Sequence, residues 1–173
     1  FSLQPDTWQH LALVKSPEQV AVYVNGTLVG TAPASGPING VGSGDFIRLG
    51  KWAGGGREWN GSMDDVRFWN TARTAAEIQA TMFQAVPPQA GLVANYPMND
   101  GVPNTNNTAV TTLADASGNG HTATPLGFAM TGNASNFVGG LADQDADGLS
   151  DGREADAGLD PRFLQQYDQS PLL

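Results

Sequence analysis

The sequence predicts an all-β fold, an antiparallel β-sandwich or jelly roll, with one short peripheral helix and an acidic loop in its tail. Three observations lead to this prediction. Short apolar segments alternate with segments rich in Gly, Pro, Asn and Ser, a pattern typical of sandwiches and barrels. A single capping box marks one helix. Eight of the 17 acidic residues lie close together near the carboxyl end of the chain.

Five apolar segments have the length and composition of β-strands or a β-hairpin. They are residues 8–14, a hairpin at 20–29, and residues 45–50, 62–69 and 91–98. Asn25-Gly26 lies at the centre of the hairpin, where a type I′ turn requires a positive φ at both central residues. Pro97 has no backbone N–H, so we expect the last segment to be an edge strand or to end there.

The predicted helix begins at Thr74-Ala-Ala-Glu77, whose two polar side chains form a capping box. The apolar residues that follow at helical spacing are Ile78, Met82 and Phe83. Pro87-Pro88 ends this segment. Residues 99–140 are dominated by Asn, Thr, Gly and Ala, so we expect only short strands and long loops there.

The composition excludes several classes of protein. The chain has 173 residues, with eight Lys and Arg against 17 Asp and Glu, and a formal net charge of −9. Because it has no cysteine, it has neither disulfides nor thiolate metal sites. Eight scattered cations make nucleic acid an unsuitable partner. No run approaches the roughly 18 apolar residues that membrane insertion requires.

The acidic excess is concentrated in residues 143–168, where eight acids and two arginines give a net charge of 2 − 8 = −6. Residues 143–154 match the calcium-loop pattern D-x-D-x-D-G-x5-E in full. The predicted ligands are Asp143, Asp145, Asp147, the backbone carbonyl of Leu149, Asp151 and Glu154. We therefore predict Ca²⁺ as the cofactor, because carboxylates this close repel one another without a cation. The alternative is a solvated acidic tail without a metal.

We expect no EF-hand around this loop, because the sequence Gly139-Gly-Leu-Ala is unsuited to the amphipathic helix that should precede it. The continuation Ala155-Asp-Ala-Gly-Leu-Asp160-Pro161 resembles a bacterial thrombospondin type-3 repeat and, more distantly, a dockerin. The resemblance implies that Asp160 adds a calcium ligand, and that calcium rigidifies a linker or stalk outside the cell.

Five motifs within residues 8–83 resemble, in family order, the carboxyl-terminal half of a laminin-G-like (concanavalin A-like, pentraxin-like) jelly roll. They are Trp8-Gln-His10-Leu-Ala-Leu-Val, Val22-Tyr-Val-Asn-Gly26, Ile47-Arg-Leu-Gly50, Asn60-Gly-Ser-Met-Asp-Asp-Val-Arg-Phe-Trp69 and the helix Thr74–Phe83. Each motif is short, and it is their order that makes the resemblance specific.

Two features depart from the family pattern. Only seven residues precede Trp8, where the first strands of the family should lie. Residues 91–98, together with Asp115–His121, instead resemble the opening segment of such a domain. The predicted domains are therefore residues 1–90 (carboxyl-terminal part of the jelly roll), 91–140 (start of a degenerate second repeat, or a strand donor) and 141–173 (calcium-binding repeat).

Residues 1–85 alone cannot bury both sheets of a sandwich, so they would expose open strand edges and an apolar face. We expect the missing strands from an upstream fragment, a neighbouring subunit or residues 91–137.

Few residues suggest catalysis. Asp64 and Asp65 would point to opposite faces of a strand, so we expect structural pairing with Arg67 or the backbone rather than acid/base chemistry. The Glu-x-Asp-x-x-Glu triplet of concanavalin-like glucanases does not occur. His10 is predicted to be a packed structural residue. The predicted ligand-binding residues lie on a glycine-rich loop whose aromatic rings could stack on sugars, and they are Trp52, Arg57, Glu58 and Trp59.

These features predict a non-enzymatic extracellular module, secreted or on the surface of a bacterial cell, that serves adhesion or recognition. Its partner would be a glycan or a protein surface ligand. A structural subunit of an extracellular fibre or surface layer, completed by neighbouring strands or by self-assembly, is the second possibility. An accessory module of a secreted polysaccharide-degrading enzyme is the third.

Overall fold

The computed structural model describes residues 2–5, 7–36, 47–51, 56, 58–132 and 135–137. The elements are β1 (Leu11–Lys15), β2 (Gln19–Val24), β3 (Thr27–Pro33), β4 (Val66–Trp69), α1 (Ala75–Thr81) and β5 (Leu92–Tyr96). The described part of the chain is therefore mostly β, with antiparallel sheets and one short helix, as the sequence predicts. It shows no closed sandwich. The predicted calcium loop and Asp160 lie outside the described residues.

The first sheet has the strand order β1-β2-β3, and both pairs are antiparallel. The hairpin between β2 and β3 turns at Asn25 and Gly26, whose φ angles are 48° and 72°, which confirms the predicted turn. A Cβ on Gly26 would lie 2.5 Å from the Cγ atom of Gln79. The amide of Gln79 donates a hydrogen bond to the carbonyl oxygen of Gly26 at 3.0 Å. Glycine at this turn therefore allows helix α1 to contact the hairpin.

The second sheet pairs β4 with β5 in antiparallel register, with Val66 opposite Tyr96 and Phe68 opposite Ala94. The rings of Phe68 and Tyr96 meet edge to face with their centroids 6.3 Å apart. Four of the five residues of β5 are buried. Strand β5, which comes from residues 91–137, is thus hydrogen-bonded to β4, the last strand of residues 1–90. It also contributes much of the buried core.

Helix α1 begins at the predicted capping box. The Glu77 N–H donates to the Thr74 hydroxyl oxygen at 3.3 Å, and the Thr74 N–H donates to the Glu77 carboxylate at 2.8 Å. The hydrogen bonds that the Thr74 N–H and the Thr74 hydroxyl donate to the Glu77 carboxylate hold the pKa of Glu77 below its usual value. Ile78 is the buried residue of the helix. The helix spans seven residues, and no helix in the described ranges is long and apolar enough to cross a membrane.

Three strand predictions need correction. The strand expected at 8–14 begins only at Leu11, and the strand expected at 62–69 begins only at Val66. Residues 47–50 of the strand expected at 45–50 are not extended in a sheet, and Ile47 is 69% exposed. Because a β-strand is stabilised by a hydrogen-bonded neighbour, the apolar pattern alone does not make 47–50 a strand, and no described segment pairs with it.

One face of the first sheet is apolar and open. Leu11 lies opposite Val24, and Leu13 lies opposite Val22, so these four side chains share that face. Leu11 is 52% exposed and Leu13 is 72% exposed. Strands β1 and β3 are also the two edges of the sheet among the described residues. The apolar face that the sequence analysis expects is therefore present in the described part of the chain.

Candidate functional site

The predicted ligand-binding loop is described in part. Trp52 and Arg57 lie outside the described residues, whereas Glu58 and Trp59 lie within them. Trp59 is 51% exposed. Its backbone N–H donates to the carbonyl oxygen of Gly50 at 2.7 Å, and its indole N–H donates to the carbonyl oxygen of Ser62 at 3.3 Å. The residue is therefore anchored at its polar groups while about half of its surface is exposed to solvent.

Glu58 has a partner that the sequence did not indicate. The ammonium of Lys51 lies 3.1 Å from the Glu58 carboxylate, and both side chains are more than half exposed. A hydrogen bond from its own backbone N–H, followed by the bond and charge of Lys51, lowers the pKa of Glu58. No sequence signal links these residues, because they are seven positions apart in a glycine-rich segment. This ion pair places an exposed cation and an exposed anion on the same loop as Trp59.

Asp65 and Arg67 form an ion pair, which confirms the predicted structural role of Asp65. The Arg67 guanidinium donates to both carboxylate oxygens of Asp65, and only 8% of the Arg67 side chain is exposed. The predicted position of the two aspartates on a strand is wrong, because β4 begins at Val66 and Asp65 has a φ of 53°. The left-handed turn directs the Asp65 carboxylate back to Arg67.

Arg67 also connects β4 to the end of the helix. Its guanidinium donates to the carbonyl oxygens of Thr81 and Gln84, each at 2.6 Å. These carbonyls lie at and just beyond the carboxyl end of α1, where a positive charge is favourable. Arg67 therefore joins β4, the Asp65 turn and the helix end through one buried group.

His10 lies beside this ion pair and packs as a structural residue, as predicted. Its backbone N–H donates to the side-chain oxygen of Asn25 at 2.8 Å, and its carbonyl accepts from the Asn25 N–H at 2.8 Å. Burial, and then the positive charge of Arg67, lower the pKa of His10, while Asp65 opposes the shift. No group of three or more His, Cys, Asp or Glu residues in the described ranges could hold a metal ion.

Residues 115–121, which we name the clamp loop, bind strand β5. The Asp115 carboxylate accepts hydrogen bonds from the backbone N–H groups of Asn95, Ser117 and His121 at 2.8–2.9 Å. One carboxylate therefore ties the strand to the start and the end of the loop. The sequence of this segment resembles part of the opening of a laminin-G-like domain, but no local pattern in it indicates that the aspartate is the centre of a hydrogen-bond network.

Two further side chains of the clamp loop bind the backbone of β5. The hydroxyl of Ser117 donates to the carbonyl oxygen of Val93 at 3.1 Å. The amide of Asn119 donates to the carbonyl oxygens of Leu92 and Val93 at 2.8 and 3.0 Å. The clamp loop thus satisfies strand groups that a neighbouring strand would otherwise pair.

Replacing Asp115 with asparagine is expected to lower the free energy of unfolding at pH 7 by about 2 kcal/mol, since hydrogen bonds to a charged group are lost. Partial burial alone would raise the pKa of Asp115, but the bonds from Ser117, Asn95 and His121 outweigh it and hold the pKa well below its usual range. The depressed folded-state pKa means that this stability is present above the unfolded pKa of about 3.9. It is lost as the pH falls through the folded pKa.

Thermal unfolding of the wild type and Asp115→Asn at several pH values checks this expectation. The difference in stability should shrink as the pH is lowered below about 4. Asp100→Asn is the matched control, because Asp100 accepts a single backbone N–H, from Ala114 at 2.8 Å. A difference that stays constant from pH 7 to pH 2 would contradict the role of the Asp115 charge.

Comparisons with known proteins give two matches, each to part of this chain. No curated protein matches it. One solved structure, an S-layer domain-containing protein from Clostridium thermocellum ATCC 27405, is 26% identical, with a TM-score of 0.40. The match covers 46% of this chain and 41% of that one. Among family models, residues 1–79 of this chain match the laminin G model of the concanavalin A-like lectin/glucanases superfamily.

Proposed function

We propose that this chain is part of a non-enzymatic extracellular recognition module that binds a carbohydrate or another surface ligand. The observation that supports it most directly is the half-exposed Trp59, whose polar atoms are bonded within its own loop. A ring held in this way can stack on a sugar at little entropic cost. The match of residues 1–79 to a superfamily that includes lectins is consistent with this function.

The bonds made by three of the described carboxylates favour a binding role over a hydrolytic one. Glycoside hydrolysis requires two carboxyl groups that flank the scissile bond. Glu58 is paired with Lys51, and Asp65 is paired with Arg67. Asp115 is occupied by three backbone N–H groups. Each of these three carboxylates is therefore bonded to other groups of the protein, whereas the carboxyl groups of a glycosidase must contact the substrate.

The tail is proposed to bind calcium as a thrombospondin type-3-like repeat, with the ligand set Asp143, Asp145, Asp147, Leu149, Asp151, Glu154 and Asp160. Calcium there would be structural, stiffening the segment 141–173 that follows the β-rich residues. This arrangement suits a protein secreted by, or displayed on, a bacterial cell, where calcium is plentiful. An accessory module of a polysaccharide-degrading enzyme would use the same binding loop.

A second candidate function is a structural subunit of an extracellular fibre or surface layer. The open apolar face with Leu11 and Leu13 favours it, because an exposed sheet face and open strand edges are sites where neighbouring chains can pair. In this case, strands from a neighbouring copy would cover the face.

A glycan array probed with the full chain, with and without Ca²⁺, tests the preferred function. Trp59→Ala is expected to weaken binding to the best glycan by about tenfold in calorimetry, because stacking on the ring is lost. Phe128→Ala is the matched control, because Phe128 is 55% exposed and lies outside the loop. Equal losses in both variants would contradict a specific role for Trp59. Absence of glycan binding together with polymers in light scattering would favour the structural subunit.

A further inference from the structure

A second polar surface lies beside strand β5, away from the predicted ligand-binding loop (residues 51–61, named here the Trp59 loop). It is an open cleft of about 480 Å³ between the residue that follows β4, the segment that leads into β5, and the clamp loop. The side chains that matter at this cleft are Asn70, Gln89, Asn119 and His121. The cleft shares no residue with the Trp59 loop, so it is an independent candidate for binding.

Among the residues that the structure describes, no Asp, Glu, Lys or Arg lines the cleft. Anion sites in proteins usually contain a cationic side chain and calcium sites usually contain carboxylates, and the described lining offers neither. It offers amides and an imidazole, each of which presents hydrogen-bond donors and acceptors at short spacing. This chemistry matches a neutral ligand that has several adjacent hydroxyl groups.

Two of these side chains have no hydrogen-bond partner in the part of the chain that the structure describes. They are the amide of Asn70 and the imidazole of His121. The Asn70 backbone is nevertheless fixed, because its N–H donates to the carbonyl oxygen of Gly91 at 2.9 Å. The backbone of His121 is fixed as well, because its backbone N–H donates to the Asp115 carboxylate at 2.9 Å and its backbone carbonyl accepts from the Tyr96 hydroxyl. Polar groups on a fixed backbone are thus left available at the cleft.

The shape of the cleft depends on a glycine. Gly91 has a φ of 85°, and a Cβ there would lie 2.9 Å from the Thr71 hydroxyl oxygen and 3.6 Å from the Asn70 side-chain oxygen. A side chain at this position would therefore crowd the residues beside the cleft. The clamp loop holds the opposite wall, because Asn119 is bonded to the carbonyl oxygens of Leu92 and Val93.

We propose that this cleft is a saccharide-binding site, in which Asn70 and His121 bind adjacent hydroxyl groups of a neutral sugar. The proposal rests on the proposed recognition function and assigns to it a site that the sequence did not indicate. Asn119 contributes its free side-chain oxygen as an acceptor, since its amide nitrogen is already bonded to β5. Gln89 lies at the cleft as an additional amide.

The experiment uses the full chain and a panel of neutral oligosaccharides, namely cellohexaose, xylohexaose, maltohexaose and mannohexaose, with hexagalacturonic acid as the charged comparison. Calorimetry is expected to show binding of at least one neutral oligosaccharide. Asn70→Ala and His121→Ala should each weaken it by about fivefold, as the loss of one or two hydrogen bonds implies. In ¹H–¹⁵N and ¹H–¹³C spectra, the Asn70 amide and His121 ring signals should shift on titration.

Asn99→Ala is the matched control, because Asn99 is an exposed asparagine outside the cleft. If a neutral sugar binds and Trp59→Ala weakens it while Asn70→Ala and His121→Ala do not, the cleft proposal is wrong and the recognition function stands. If hexagalacturonic acid binds more tightly at the cleft than the neutral sugars, the proposed ligand class is wrong. If no saccharide in the panel or on the glycan array binds, both proposals fail.

Discussion

Replacing Arg67 with methionine is expected to lower the free energy of unfolding by about 3 kcal/mol. Arg67 is 8% exposed at its side chain, and its guanidinium bonds to Asp65 and to two carbonyl oxygens near the end of α1. Methionine keeps the apolar stem but leaves the Asp65 carboxylate without its counter-charge. It also removes the side-chain donor from the exposed carbonyl of Gln84, and one of two donors from the partly buried carbonyl of Thr81, which keeps the Gln84 N–H at 3.3 Å.

Urea denaturation followed by tryptophan fluorescence measures this loss. Arg73→Met is the matched control, because Arg73 pairs with Glu77 at 3.2 Å and stacks 4.2 Å from the Trp69 ring centroid in a more exposed position. We expect that control to cost about 1 kcal/mol or less. Equal losses of unfolding free energy for Arg67→Met and Arg73→Met would show that the buried bonds of Arg67 contribute no more to stability than an exposed ion pair does.

A double substitution isolates the charge of Asp65. Asp65→Asn combined with Arg67→Met removes both members of the pair, so no unpaired charge remains. We expect the double variant to be more stable than Arg67→Met by about 1 kcal/mol, since an uncompensated charge costs more than a lost pair. A double variant that is less stable than Arg67→Met would contradict this account.

Calcium binding by the full chain is expected to be lost when Asp145 is replaced with alanine. Asp145 occupies the third position of the twelve-residue loop pattern and is flanked by ligands at positions one and five. Removing one carboxylate from the set leaves too few oxygens to replace the water around the ion. Calorimetry with the wild type should show a dissociation constant of about 10⁻⁴ to 10⁻³ M, as in extracellular calcium modules.

The control for calcium binding is Asp168→Ala, which removes the same charge outside the loop pattern. We expect it to weaken calcium binding by less than about twofold, because Asp168 is not in the predicted ligand set and salt screens charges that do not contact the ion. Undiminished binding in Asp145→Ala would refute the assignment of residues 143–154. Equal weakening by both variants would indicate a diffuse acidic tail rather than a site.

The sequence was most informative where structure depends on neighbouring residues. Asn25-Gly26 and the Thr74–Glu77 box are local signals, because a turn and a helix start are set by the φ preferences and side-chain bonds of a few consecutive residues. Both were predicted and both are present. The pairing of Asp65 with Arg67 was also predictable, since the two residues are close in the chain.

The sequence was less informative where an apolar segment forms a strand, or is buried, only if it meets another segment that is distant in the chain. Residues 47–50 have the composition of a strand, but no described strand pairs with them. Leu13 has the alternation of a buried residue, yet it is 72% exposed because nothing in the described chain covers that face. Propensity and pattern state what a segment can do, and neighbouring elements decide whether it does so.

The composition and motifs alone were enough to indicate a cysteine-free, largely β chain with one capped helix, and to predict a calcium loop. The choice of β5 as the partner of β4, the Asp115 network and the cleft at Asn70 and His121 depended on the tertiary structure. The β4–β5 pairing, the bond between Asp115 and Asn95, and the cleft each bring together residues that are 20 or more positions apart in the chain. The physical reason is that such contacts arise from packing and backbone hydrogen bonding, which no local pattern encodes.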